Sequence, residues 1–261
     1  MDQKGWLAGV FDRAAPTYDR VGVAYHEHFG RRLVARADLP PGASLLDVGC
    51  GHGAVLLAAA GRAARLTGVD VSAGMLHRAA GGLRGSGARL AVMDAERLGF
   101  AAGAFDVVTA AFLLFFLPDP VRAVAGFHRV LRPGGRVAVS TWGEDDPRWS
   151  WADDLLADLP VQRRAIQRPF DTPTSVVDLL TRAGFVGVTA HREDLEIRFA
   201  DASQWWEWHW SFSVRGLLEQ LDATAVDRLR GEATARLDGA RPDGGHRMAL
   251  TAWAVTARRP A

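Results

Sequence analysis

The 261-residue chain has one cysteine, one lysine and no strong excess of charge of either sign. With Cys50 alone, no intrachain disulfide can form and no cysteine cluster can hold zinc. The formal net charge is +1, so no global field draws in nucleic acid or an anionic membrane. Lys4 is the only lysine, and the arginine-dominated cations read as the coding bias of a GC-rich source, not as a binding signal. The longest charge-free apolar stretch runs over 107–118, well short of the ~20 residues that span a bilayer. The first ten residues hold neither an apolar core nor a cleavage-site pattern, so no signal peptide is expected. No set of Cys, His and carboxylate residues has ligand spacing, so no metal is expected. These absences predict a cytoplasmic protein with no membrane span and no nucleic-acid partner; a homodimer stays open.

What is present is a core and a rhythm. Hydrophobic residues make up 48% of the chain, enough to bury a full core. Apolar runs at 45–48, 65–71, 89–93, 105–111 and 136–141 alternate with helix-forming segments. Alternation of this kind gives βαβ units, and hence a parallel sheet with helices on both faces. One helix is expected over 54–64, a second capped by Ser72, and a third carrying His128 before a tight turn at 131–135. After Thr141 the rhythm breaks. A helix over 172–183, strands at 186–190 and 195–199, one long helix over 203–237 and a last strand at 248–257 are expected. Segments 142–170 and 199–246 read as insertions over the carboxyl edge of the sheet, where open α/β sheets bind ligands.

The most informative stretch is Asp47-Val48-Gly49-Cys50-Gly51-His52-Gly53. Glycines between a strand and a helix let the backbone approach a ligand that a side chain would block. Gly49, Gly51 and Ala54 also satisfy a dinucleotide fingerprint, so glycine spacing alone does not decide the ligand. Asp47 bears on that choice. Beside a pyrophosphate it would be a like charge in a partly dry site, whereas beside a sulfonium and an ammonium group it attracts. Asp70, at the end of the second strand, is placed to accept both hydroxyls of an adenosine ribose. Asp94, in Met93-Asp94-Ala95-Glu96, can accept from an adenine amino group while the next N–H donates to the ring. Met75 can pack on the adenine, although a core methionine reads equally well.

Leu45 through Gly53, Val69-Asp70-Val71-Ser72 with Met75-Leu76, Asp94 through Phe100 with Phe105 through Val108, and Leu131 through Gly135 together form an ordered set of motifs. With Phe11-Asp12 through Ala15 and Tyr18-Asp19, the set resembles the class I S-adenosylmethionine-dependent methyltransferases of the ubiquinone/menaquinone-biosynthesis type (methyltransferase type 11). The resemblance covers about residues 10–141. It implies a Rossmann-like α/β fold, a seven-stranded, mostly parallel sheet with helices on both faces; beyond Thr141 the chain departs from the family, and the 199–246 insertion is expected to form a helical lid over the carboxyl edge. The chain is expected to divide into 1–30 over the cofactor, 31–141 holding it, and 142–261 completing the sheet with substrate-binding insertions at 142–170 and 199–246. The cofactor it implies is S-adenosylmethionine. By the same resemblance Tyr18 lies near the cofactor, Gly49 and Gly51 line its methionine part, and Ala111 and Phe112 border its adenine side; Cys50, Asp70, Val71, Met75, Asp94, Ala95 and Glu96 are the further candidate cofactor contacts.

The acceptor is a separate question. Methyl transfer is an in-line displacement, and a base is required only where the acceptor must lose a proton. His26, His28 and His209 are base candidates, each against a plain structural role. His52, in the glycine turn, reads as a cofactor contact and His128 as structural. Trp205, Trp206, Trp208 and Trp210 cannot all share one helical face. They read either as core with an exposed ring or as the wall of a pocket for a small aromatic, quinone-like or isoprenoid acceptor. Two other functions remain: a nicotinamide-dinucleotide oxidoreductase, opposed by Asp47 and the Pro133-Gly134-Gly135 turn, and a non-catalytic S-adenosylmethionine-binding protein.

Overall fold

The structure is a computed structural model that describes residues 3–20, 24–157, 159, 161, 172–239 and 246–261. Two helices, α1 (Gln3–Ala14) and α2 (Tyr25–Ala37), precede the sheet. Then follow β1 (Ser44–Val48), α3 (Ala54–Ala59), β2 (Arg65–Asp70), α4 (Ala73–Gly82), β3 (Arg89–Val92), β4 (Phe105–Ala111), α5 (Pro120–Val130) and β5 (Leu131–Trp142). The second half holds α6 (Ser150–Ala157), α7 (Pro173–Arg182), β6 (Val186–Phe199), α8 (Ala202–Trp210), α9 (Arg215–Leu218), α10 (Ala223–Gly239) and β7 (His246–Arg258). The seven strands lie in the order β3-β2-β1-β4-β5-β7-β6. All neighbours are parallel except β7, which runs antiparallel to both β5 and β6.

Alternation along β1 explains the layers. Leu45 enters one apolar cluster with Leu33, Val34 and Leu56 of α2 and α3, whereas Leu46 and Val48 enter another with Val124, Phe127 and Leu180 of α5 and α7. β1 is buried along its whole length, and its apolar residues serve both faces; its two polar residues, Ser44 and Asp47, are buried with them. Chain order reverses beside β1: β2 and β3 lie on one side and β4 on the other. A crevice at the carboxyl ends of the strands opens at such a switch point. A third cluster, rich in aromatic rings, covers the carboxyl edge and joins α8 and α10 to Tyr25, Phe112 and Trp149.

Four elements depart from the expected pattern. The helix after the glycine turn stops at Ala59, because Ala60 is already extended and Gly61 sits at φ +77°. The turn at 131–135 lies inside β5: the register with β4 jumps from Leu131 to Arg136, with Gly134 at φ +74°. The two strands at 186–190 and 195–199 are one strand, β6. It is an edge strand, so charges in its middle face solvent or partners: Arg192 meets Asp194 and Glu144, and Glu193 meets Arg32 and Arg36. The helix expected over 203–237 is three helices. Ser211 turns back on the Trp208 carbonyl to end α8, and Asp222 accepts the Ala225 N–H at 2.8 Å at the start of α10. Part of the 142–170 insertion, and residues 240–245 of the second, lie outside the described residues.

Candidate active site

One cavity of about 650 Å³ runs from the glycine turn to the aromatic cluster. Its first end is built by the β1 turn. Gly49, Gly51 and Gly53 all have positive φ, at 67°, 52° and 92°. A Cβ on Gly49 would stand 2.7 Å from Leu113 Cδ1, so this glycine allows close packing. A Cβ on Gly51 would meet nothing within 4 Å, so this one keeps space clear. Asp70 fixes the turn from β2. Its Oδ2 accepts the Gly51 N–H and its Oδ1 the Ser72 N–H, both at 2.8 Å. Each oxygen keeps further lone pairs for a ligand hydroxyl. Burial raises the carboxyl pKa, against the lowering by those N–H groups.

Asp47 is a strongly perturbed carboxyl group in the cavity. It is 1% exposed, and burial pushes its pKa up to about 7. Thr109 donates to Oδ1 at 2.7 Å, whereas Oδ2 has no hydrogen-bond partner. A buried carboxylate oxygen left unpaired is costly unless a donor reaches it. An ammonium group supplies donor and charge together. At the far side, Asp94 Oδ2 accepts from Lys4 Nζ at 2.8 Å and Oδ1 from the Glu96 N–H at 2.9 Å. Lys4 also meets Glu96, and Leu7 and Phe11 of the same helix line the cavity. Helix α1 is tied down further by Asp12, which accepts from Ser72 Oγ at 2.6 Å and Gly74 N at 2.8 Å.

Of the residues expected to hold the cofactor, Tyr18, Asp47, Gly49, Cys50, Gly51, Asp70, Val71, Met75, Asp94, Ala95, Ala111 and Phe112 line this cavity. Glu96 does not: its carboxylate is taken up by Lys4 and the Asp119 N–H. The Phe112 ring stacks on Trp142 at 4.2 Å, and so faces the aromatic chamber. Trp208 and His209 line the cavity, but Trp205, Trp206 and Trp210 do not. Trp205 is 2% exposed and stacks on Trp149 at 6.1 Å, so it is core. The chamber is walled instead by Tyr25, Phe112, Trp142, Trp149 and Trp208.

The base candidates also separate. His28 lies outside the cavity lining, and His128 packs on Phe185. His209 donates from Nδ1 to the Trp205 carbonyl at 2.9 Å, and burial lowers its pKa to about 4. His26 stands between Asp19 and Tyr18, 3.2 Å from Asp19 Oδ1 and 2.9 Å from the Tyr18 hydroxyl. Sequence reasoning passed over Asp19, Thr109, Tyr25 and Trp142 as site residues. Only Asp19 carried a signal, its place in the Tyr18-Asp19 pair.

These features suit an adenosine carrying a cationic tail, in a cradle that opens onto an aromatic chamber. A family model described as a methyltransferase domain matches residues 46–139. Nocamycin O-methyltransferase of Saccharothrix syringae is 36% identical over 88% of this chain and 91% of its own length. Aklanonic acid methyltransferase of a Streptomyces strain is 41% identical over 53% of this chain and 66% of its own. Among solved structures, phosphoethanolamine N-methyltransferase 2 of Haemonchus contortus, in complex with S-adenosyl-L-methionine, aligns with a TM-score of 0.61 at 18% identity. The match covers all of this chain and 60% of that one. The chain belongs to the class I S-adenosylmethionine-dependent methyltransferases. It is an enzyme that methylates a small-molecule acceptor, with S-adenosylmethionine as cofactor.

The residues fit that cofactor. The unpaired Asp47 Oδ2 suits its ammonium group, Asp70 its ribose hydroxyls, and the open face of Gly51 its tail. When bound, S-adenosylmethionine supplies an electrophilic methyl on a sulfonium. The protein's part is to orient an acceptor against that methyl and to exclude water, tasks that the apolar walls of the chamber suit.

Proposed function

We propose that the acceptor atom is an oxygen on a small, flat, largely apolar metabolite, of aromatic, quinone-like or isoprenoid character. The observation that carries this is the chamber itself. Phe112 and Trp142 stack at 4.2 Å beside Tyr25 and Trp208, leaving an apolar space continuous with the glycine cradle. Flat aromatic walls favour flat acceptors, by contact area and by ring–ring geometry. The kinship to an O-methyltransferase over 91% of that protein's length supports oxygen over nitrogen or carbon. In this reading residues 1–30 cover the cofactor, 31–141 hold it and 142–261 shape the acceptor site. The enzyme works in the cytoplasm; no helix among the described residues is long and apolar enough to cross a membrane.

The test is methyl transfer from carbon-13-methyl S-adenosylmethionine to a panel of hydroxyanthraquinones and hydroxynaphthoquinones. The expected product carries a labelled O–CH3 resonance. A label found only on nitrogen or ring carbon, across this panel and matching amines, would overturn the oxygen reading.

A further inference from the structure

Among the described residues, three that are not glycine have a left-handed backbone: Asp19, Asp38 and Phe112, at φ 55°, 49° and 51°. Such strain persists only where the surroundings impose it, and it gathers at functional sites. Asp38 is simply the C-cap of α2. The other two meet around one imidazole. Asp19 Oδ1 lies 3.2 Å from His26 Nδ1, and the Phe112 ring stands edge-on to the His26 ring at 6.0 Å.

We propose that His26 is the catalytic base that removes the acceptor's hydroxyl proton, with Asp19 as its positioning residue and the Tyr18 hydroxyl as the relay between them and the acceptor. This rests on the oxygen-acceptor reading above. Asp19 Oδ1 accepts a hydrogen bond from His26 Nδ1–H, which keeps the proton on Nδ1 and leaves Nε2 with its lone pair. The Tyr18 hydroxyl, 2.9 Å away, donates to that lone pair. The place is right for the chemistry. The His26 ring is 5.9 Å from His52, which sits in the glycine turn, and 4.0 Å from Tyr25. Tyr25 in turn meets Trp142 at 5.8 Å and Trp208 at 6.0 Å. The imidazole therefore stands where the cofactor cradle joins the acceptor chamber.

The groups around it set its charge. Asp19 and Tyr18 face it from the loop after α1, Tyr25 from its own helix, His52 from the glycine turn and Arg78 from α4. Burial outweighs Asp19 and holds the resting imidazole neutral, as a base must be. Asp19 is itself held well below the usual carboxylate range by His26 and His52, so it remains an anion ready to steady the imidazolium. His209 has no such partner: it contacts a carbonyl and rings.

In the reacting complex the acceptor O–H bond breaks and its proton passes to the Tyr18 oxygen, as the Tyr18 proton crosses to His26 Nε2. The acceptor oxygen closes a bond to the methyl carbon and displaces a neutral thioether, whose sulfur keeps the electron pair. His26 later releases its proton to water.

Two measurements test this. Nitrogen-15 spectra of the imidazoles in the unliganded wild-type protein should show His26 protonated at Nδ1 and bare at Nε2. Its titration should move to lower pH in Asp19→Asn. With a hydroxyl acceptor from the panel above, His26→Gln should lower kcat by ~100-fold or more and remove the rising limb of the kcat–pH profile. The KM for S-adenosylmethionine should stay within about twofold. Tyr18→Phe should lower kcat by about tenfold or more. An Nε2-protonated His26, a titration unmoved by Asp19→Asn, or an unchanged kcat in His26→Gln would overturn the proposal. The spectra need no acceptor and no His26 variant. A correct tautomer with methylation only at nitrogen or carbon would instead sink the oxygen reading, and the relay with it.

Discussion

Asp47 and Thr109 are bound through one carboxylate oxygen only: the Thr109 hydroxyl donates to Oδ1 at 2.7 Å, and Oδ2 is buried without a partner. Without its cofactor the protein therefore keeps an acid whose pKa is pushed up to about 7. A carboxyl group raised in the folded state favours folding while it is protonated. That contribution is complete below the ordinary carboxyl range and is lost as pH rises through about 7.

Asp47→Asn should accordingly stabilise the unliganded protein at pH 8, by about 1–3 kcal/mol. In thermal melts this is a rise in Tm of ~3 °C or more. The same substitution should weaken S-adenosylmethionine by about tenfold, since the amide oxygen can still accept from an ammonium ion but carries no charge to attract it. Wild-type affinity should rise with pH through neutrality and the variant's should not. Melts and calorimetry at pH 6 and pH 8 check both halves.

The two turn glycines should separate in their effects. Gly49→Ala places a Cβ 2.7 Å from Leu113 Cδ1 at a positive φ, and should cost ~1–3 kcal/mol of stability. Gly51→Val meets no protein atom at its Cβ. It should lose stability to the strain of a β-branched residue at φ +52° and, where folded, bind no S-adenosylmethionine. Melting curves and calorimetry on the two variants would show the division; equal effects on binding would remove it.

The tryptophans should separate likewise. Trp208 lines the cavity, so Trp208→Ala should raise the acceptor KM about fivefold or more while cofactor affinity holds. Trp206 is 8% exposed and lies outside the cavity lining. Trp206→Ala should lower Tm, by a cavity cost of about 3–5 kcal/mol, with the acceptor KM unchanged in the folded enzyme. A Trp206→Ala variant with raised KM and normal stability would place that ring in the pocket after all.

Local features of the sequence carried the cofactor end of the site. The glycine turn, the Ser72 cap and Asp70 are set by neighbours a few residues away, so their pattern was readable. Asp47 was readable for its charge at a strand end. Its partner Thr109 was not, because they meet only through the β1–β4 register. The aromatic chamber escaped for a related reason. Four clustered tryptophans drew attention to α8, but only Trp208 of them lines the cavity, and Trp142, at the end of β5, lines it too. Helical spacing states that the rings diverge, not which direction is the cavity. Edge-strand status made β6 continuous through Arg192, Glu193 and Asp194, where charge alone suggested a break.

The cofactor assignment stands or falls on Asp70, which ties the turn to β2 through Gly51 and Ser72 at 2.8 Å each. Calorimetric titration of S-adenosylmethionine into the wild-type chain and into folded Asp70→Ala measures it directly. One site per chain is expected in the wild type, with the variant weaker by about 1–3 kcal/mol, or ~5- to 150-fold. Equal affinity in the two proteins, or no binding heat in the wild type across a range of temperatures, would contradict the cradle described here.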